Sequence, residues 1–87
     1  MHEVKIKKKI LKKLQKIPKD IQFTFESLVD DLTEKGPIRK EWPNFSKIGD
    51  NKYHCHLSYK WVACWQNENE SLIIEVYYAG SRENAPY

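Results

Sequence analysis

The sequence predicts an α+β domain, two N-terminal helices packed on one face of a three- to four-stranded antiparallel sheet. Three observations predict it. Apolar residues recur at helical spacing through the first third of the chain. The period falls to two after residue 51, and a Gly-Pro pair at 36–37 separates the two regimes. At 87 residues, a single domain spanning 1–87 with a modest core is expected.

In "VKIKKKILKKLQKIP", Val4, Ile6, Ile10, Leu11, Leu14 and Ile17 fall within about half the circumference of a helix at roughly 100° per residue. Lysines fill the other half. The opening "HEVKI" also alternates like a short strand, and both readings stand. Pro18 ends the first helix, because the residue before proline is pushed out of the helical region, and it suits the first turn of the next. That second helix, "PKDIQFTFESLVDDLTEKGP", carries its stripe on Ile21, Phe25, Leu28, Val29 and Leu32, and Gly36-Pro37 stops it. The short link implies an antiparallel helical hairpin.

Residues 37–51 read as a connecting loop anchored by Trp42 and Phe45. Residues 52–58, 60–66 and 71–79 read as three strands of a meander. A two-residue turn at 58–59 or 59–60 puts Tyr53, Cys55, Leu57, Val62 and Cys64 on the core face. His54, His56, Trp61, Ala63 and Trp65 then share the other face. An odd-numbered loop around 67–70 sends Leu72, Ile74, Val76 and Tyr78 to the core and Ile73, Glu75 and Tyr77 to the histidine side, since an even one would bury Glu75. The histidine face thus carries imidazoles, indoles, a phenol and a carboxylate, which marks a binding surface. The alternative is that Trp61 and Trp65 pack beneath the N-terminus or the 37–51 loop.

The net charge of +3 is unevenly spread. Residues 1–20 hold eight lysines against Glu3 and Asp20, and the rest of the chain is net acidic. Such a concentration fits a polyphosphate partner or a solvated helix face. No run reaches the roughly 20 apolar residues of a membrane span, and lysines interrupt every candidate signal-peptide core. Two cysteines without an export signal suit a reduced, cytoplasmic protein. Cys55 and Cys64 read as small buried core residues. A His-x-His pair offers too few ligands for zinc, with Glu75 the nearest third candidate, so no metal or cofactor is expected.

At "KYHCHL", "KWVACW" and "IIEVYYAGSRENAPY" the chain resembles the RelE/ParE toxin superfamily, specifically the RelE-like mRNA interferases of type II toxin–antitoxin systems. The resemblance spans the chain, from the lysine-rich helix ending in "KIPKDI" to the G-x-R-x-x-x-x-Y tail. It implies an endoribonuclease acting on mRNA in the ribosomal A site, with a cognate antitoxin as partner and no membrane. The 2′-hydroxyl attacks its own neighbouring phosphate, which requires a base, cations for the phosphorane and an acid for the leaving oxygen.

The positions of His54 and His56 are lysines in the best-known members, and imidazole is the more conventional acid–base group at neutral pH. The family's strand arginine aligns with Lys60, its tail arginine with Arg82, and its tail tyrosine with Tyr87 within one residue. The resemblance therefore implies His54, His56, Lys60, Arg82 and Tyr87 as catalytic residues. Lys5, Lys8, Lys9, Lys12, Lys13, Lys16, Trp65 and Tyr77 are expected to contact RNA. Two other readings differ in class: a ParE-like gyrase inhibitor that cleaves nothing, and a non-catalytic RNA-binding or regulatory domain.

Overall fold

The computed structural model describes residues 1–87, Glu70 by its backbone alone. Strand β1 (Glu3–Ile6) leads into helix α1 (Lys8–Leu14) and helix α2 (Lys19–Lys35). Strands β2 (Ser46–Gly49), β3 (Lys52–His56), β4 (Trp61–Asn67) and β5 (Ile73–Ser81) follow. Together they form a five-stranded sheet in the order β1-β5-β4-β3-β2. The sheet is larger than expected and is not wholly antiparallel, because β1 runs parallel to β5.

Both readings of the N-terminus therefore apply, to different residues. Val4 and Ile6 pair with Ile74 and Val76 in the strand, and Ile10 and Leu14 face the core from α1. Leu11, assigned to the same stripe, is largely exposed. The second helix keeps its expected extent. Ile21, Phe25, Leu28 and Leu32 are buried, and Val29 packs at the edge. One layer of core joins these helices to a single sheet face made by Tyr53, Cys55, Leu57, Ala63, Trp65, Ile74, Val76 and Ala79.

Gly36 closes α2 with φ of 90° and ψ of −172°, backbone open essentially to glycine alone. A Cβ there would lie 2.9 Å from Cε1 of His2, whose own N–H donates to the Thr33 carbonyl. Gly36→Ala is expected to destabilise the fold by about 1–3 kcal/mol, measured as a lowered urea midpoint at unchanged slope.

One strand lies where a loop alone was expected, while β1 follows the strand reading of the opening residues. β2 occupies the end of the 37–51 segment and pairs with β3 through a bulge between Lys47 and Gly49. Asn51 turns the chain between them with φ of 57°, a conformation asparagine tolerates better than most residues. The rest of that loop folds over the core, as Trp42 and Phe45 promised. The Trp42 indole donates to Asp31 Oδ2 at 2.8 Å, and the Phe45 ring lies 5.8 Å from that of Tyr53.

The β3–β4 hairpin corrects the parity. Its loop, residues 58–60, is one residue longer than a two-residue turn and is closed by Leu57 N–H donating to the Trp61 carbonyl at 2.8 Å. One extra residue reverses every cross-strand assignment. Tyr53 now faces Trp65 and Cys55 faces Ala63 on the core side, while His54 faces Cys64 and His56 faces Val62. Ala63 and Trp65 thus belong to the core and not to the histidine face, and Trp61 packs against that core. Cys55 and Cys64 fall on opposite faces as free thiols, and burial foremost pushes each up to about 12.

By register the β4–β5 turn is even, with six residues between Asn67 and its partner Ile74. This also departs from expectation, yet the two departures compensate. Ile74 and Val76 remain in the core, and Glu75, paired with Gln66, remains on the histidine side. Leu72 precedes the strand and is largely exposed. A bulge opposite Cys64 and Trp65 takes Tyr77 and Tyr78 out of regular alternation. The Tyr78 hydroxyl donates to the Ser81 carbonyl at 2.7 Å.

Candidate active site

The site stands on the sheet face that α1 and α2 leave uncovered. Alternation along β3 presents Lys52, His54 and His56 there, and the registers add Ser46 from β2, Gln66, Cys64 and Val62 from β4, and Glu75 from β5. Val62 and Cys64 are fully buried without joining the helix-side core, so they make an apolar floor beneath the imidazoles.

His54 is 8% exposed and held on two sides. Its Nδ1 lies 3.0 Å from the Ser46 hydroxyl, and the Tyr87 ring meets it edge-on at 4.3 Å between centroids. The serine contact fixes the imidazole plane in either tautomer. His56 is half-buried, with its ring 5.9 Å from that of His54 and at 79° to it. Its pKa is lowered, first by burial, then by the neighbouring His54 and by the Arg82 guanidinium. Near pH 7 His56 is therefore a neutral imidazole with a lone pair to accept a proton.

The tail supplies the remaining groups. After β5 the chain makes a short turn, Arg82–Asn84, and the Arg82 N–H donates to the Lys60 carbonyl at 2.7 Å. Lys60 and Arg82 line one hollow of about 260 Å³ together with Tyr59, Trp61, Ser81 and Glu83. The Arg82 guanidinium lies 4.7 Å over the Tyr59 ring, and it makes no ion pair with Glu83 among the described residues. Tyr87 keeps its proton more firmly than a free phenol, chiefly through burial. His54, His56 and Tyr87 thus lie together, Arg82 is near enough to act electrostatically on His56 and Tyr87, and Lys60 shares with Arg82 a hollow that neither histidine lines.

The residues expected to contact RNA are placed differently from one another. Trp65 is excluded: its indole is fully buried, donates to the Pro37 carbonyl at 3.0 Å and stacks near Phe45 and Tyr53. This matches the alternative of a tryptophan packed beneath the 37–51 loop. Tyr77 is half-buried, with the Lys52 ammonium 6.0 Å from its ring, and burial foremost raises its phenol to about 12. Lys5 is exposed in register with Glu75. Lys8, Lys9, Lys12, Lys13 and Lys16 are exposed on α1 or just past its end, in the other layer from the histidines. Lys13 and Lys16 reach the rim beside Trp61, Ser81 and Asn84, where the tail begins.

Three site neighbours escaped the sequence reading. Ser46 lies in a stretch that reads as loop and Tyr59 in one that reads as turn, while Lys52 carries no signal beyond its spacing from His54. The period-two relation of Lys52 to His54 would have found it.

No protein-family model matches the sequence, and no curated protein matches it. Solved structures do. The archaeal RelE of the RelE–RelB complex from Pyrococcus horikoshii OT3 superposes with a TM-score of 0.75 at 21% identity, covering 97% of this chain and 98% of that one. The isolated RelE toxin of E. coli gives 0.74 at 15% identity, over 99% and 89% of the two chains. A chain of the YoeB–YefM complex from Staphylococcus aureus gives 0.70 at 8% identity, over 92% and 95%. At these identities the likeness is one of fold, and it extends nearly end to end.

Proposed function

We propose, on the premise that the chain has the fold of RelE-type toxins, that it is the toxin of a toxin–antitoxin pair and cuts mRNA on the ribosome. The observation that supports this reading best is the grouping of two imidazoles and a tail tyrosine on the sheet face away from the helices, with a tail arginine near enough to act electrostatically on His56.

In the proposed reaction neutral His56 takes the proton of a ribose 2′-hydroxyl. The 2′-oxygen bonds to the adjacent phosphorus, and Arg82 and Lys60 balance the charge gathering on the phosphorane oxygens. The bond from phosphorus to the 5′-oxygen breaks as His54, steadied by Ser46 and Tyr87, delivers a proton to that oxygen. A 2′,3′-cyclic phosphate and a 5′-hydroxyl result. The step uses His54 in its protonated form, and the cycle closes as His56 releases its proton to solvent and His54 takes one up.

Tyr77 and Tyr87 offer rings for a splayed base. Lys5, Lys8, Lys9, Lys12, Lys13 and Lys16 hold ribosomal RNA through contacts that weaken with salt. A small antitoxin is the protein partner, as RelB and YefM are in the complexes named above, and the cytoplasm is the place of action.

The test is cleavage of mRNA on programmed ribosomes by wild type and Arg82→Ala. A loss of about 10²- to 10³-fold in kcat is expected, the size seen when one preorganised transition-state donor is removed. Intact mRNA with wild type, or undiminished cutting by the variant, would overturn the reading.

A further inference from the structure

We infer that Tyr59 is a positioning residue: its ring is the platform that holds the Arg82 guanidinium at the mouth of the site. This rests on the nuclease reading for its effect on catalysis, and on geometry alone for the placement. Tyr59 is 74% exposed at the tip of the loop formed by residues 58–60 and lies outside the core. The residue borders a shallow hollow with Pro18 and Ile21, yet most of its surface is left to solvent. What its ring does meet is the guanidinium, 4.7 Å from the ring centroid. The same loop also fixes the start of the tail, the main-chain N–H of Arg82 donating to the Lys60 carbonyl at 2.7 Å. Loop and tail residues together line the hollow of about 260 Å³.

The choice of an aromatic partner has a chemical consequence. A carboxylate would hold Arg82 more tightly, but it would occupy the N–H donors and cancel charge that a phosphate needs. A ring face attracts the cation through its quadrupole and leaves the five N–H groups at the guanidinium edge free. Arg82 is thus restrained while remaining fully charged and able to donate. Among the described residues no carboxylate lies within ion-pairing distance of it.

The experiment follows the His56 imidazole by NMR across pH in the full chain, for wild type, Tyr59→Ala, Tyr59→Phe and Arg82→Ala. The charges acting on that imidazole are those of His54 and Arg82. Arg82→Ala is expected to raise the His56 midpoint. Tyr59→Ala should move it in the same direction, because the untethered guanidinium spends less time nearby, and Tyr59→Phe should restore the wild-type value. On ribosomes Tyr59→Ala should lower kcat by about two- to fivefold, the range for an exposed cation–π contact, with Tyr59→Phe restoring it. A Tyr59→Ala midpoint equal to wild type, a midpoint that Arg82→Ala leaves unmoved, or a Phe variant that behaves like the Ala one would overturn the inference. If the midpoints shift as expected while wild type leaves mRNA uncut, the positioning stands and the nuclease reading fails.

Discussion

Replacing His56 with alanine is expected to slow mRNA cleavage on programmed ribosomes by about 10²- to 10⁴-fold, the usual contribution of a positioned acid–base group. The fold should survive, because the side chain is only half-buried and lies outside the helix-side core. The pH dependence carries the same signature. A general base works unprotonated, and burial, His54 and Arg82 all lower the pKa of His56. The drop in rate as pH falls, which reports this base, should therefore be centred below the ordinary histidine value of about 6.5, while the need for a protonated His54 as acid sets a separate loss of rate on the alkaline side. Arg82→Ala removes one of those causes, so the acid-side limb should move to higher pH in that variant. An acid-side limb centred above about 6.5 in wild type would point to a different base.

Trp65→Ala is expected to cost about 3–5 kcal/mol, a large share of the roughly 5–15 kcal/mol that holds a domain of this kind together. The indole is fully buried, and its removal leaves a cavity beside Phe45 and Tyr53 as well as an unpartnered Pro37 carbonyl. The substitution acts on stability because the ring lies on the helix side of the sheet, remote from the histidines. A urea unfolding series measures it. A midpoint within about 1 kcal/mol of wild type would mean that the indole is not the core element it is taken to be, since truncating a buried tryptophan costs several times that.

Trp65 also shows how much of the molecule could be read from its sequence. The long apolar stripe of α2 and its Gly36 stop were legible because 17 residues of helical spacing leave little ambiguity. β1 and β2, of four residues each, give too short an alternation to be separated from helix or loop. The gravest misreading came from one loop residue. Ser58, Tyr59 and Lys60 form the turn where two residues were assumed, and strand parity converts that single position into a reversed face for every side chain of β4. The histidines kept their face because their side is set by β3, where core-facing Tyr53 and Cys55 alternate with them.

Of the site, the imidazoles and the tail residues were visible as types and spacings. Tyr87 beside His54, and Arg82 acting on His56, depend on how the tail turns back after Ser81. Period alone says nothing about that turn. Ser46 was hidden for a related reason: its role depends on β2 pairing with β3.

The chemistry of the RNA ends is the most direct measurement. Fragments of ribosome-bound mRNA produced by the wild-type chain should carry a 2′,3′-cyclic phosphate on the upstream piece and a 5′-hydroxyl on the downstream piece, and His56→Ala should yield neither above background. Ends bearing a 5′-phosphate, or cyclic ends formed equally well without His56, would contradict in-line attack by a histidine-activated hydroxyl at this face.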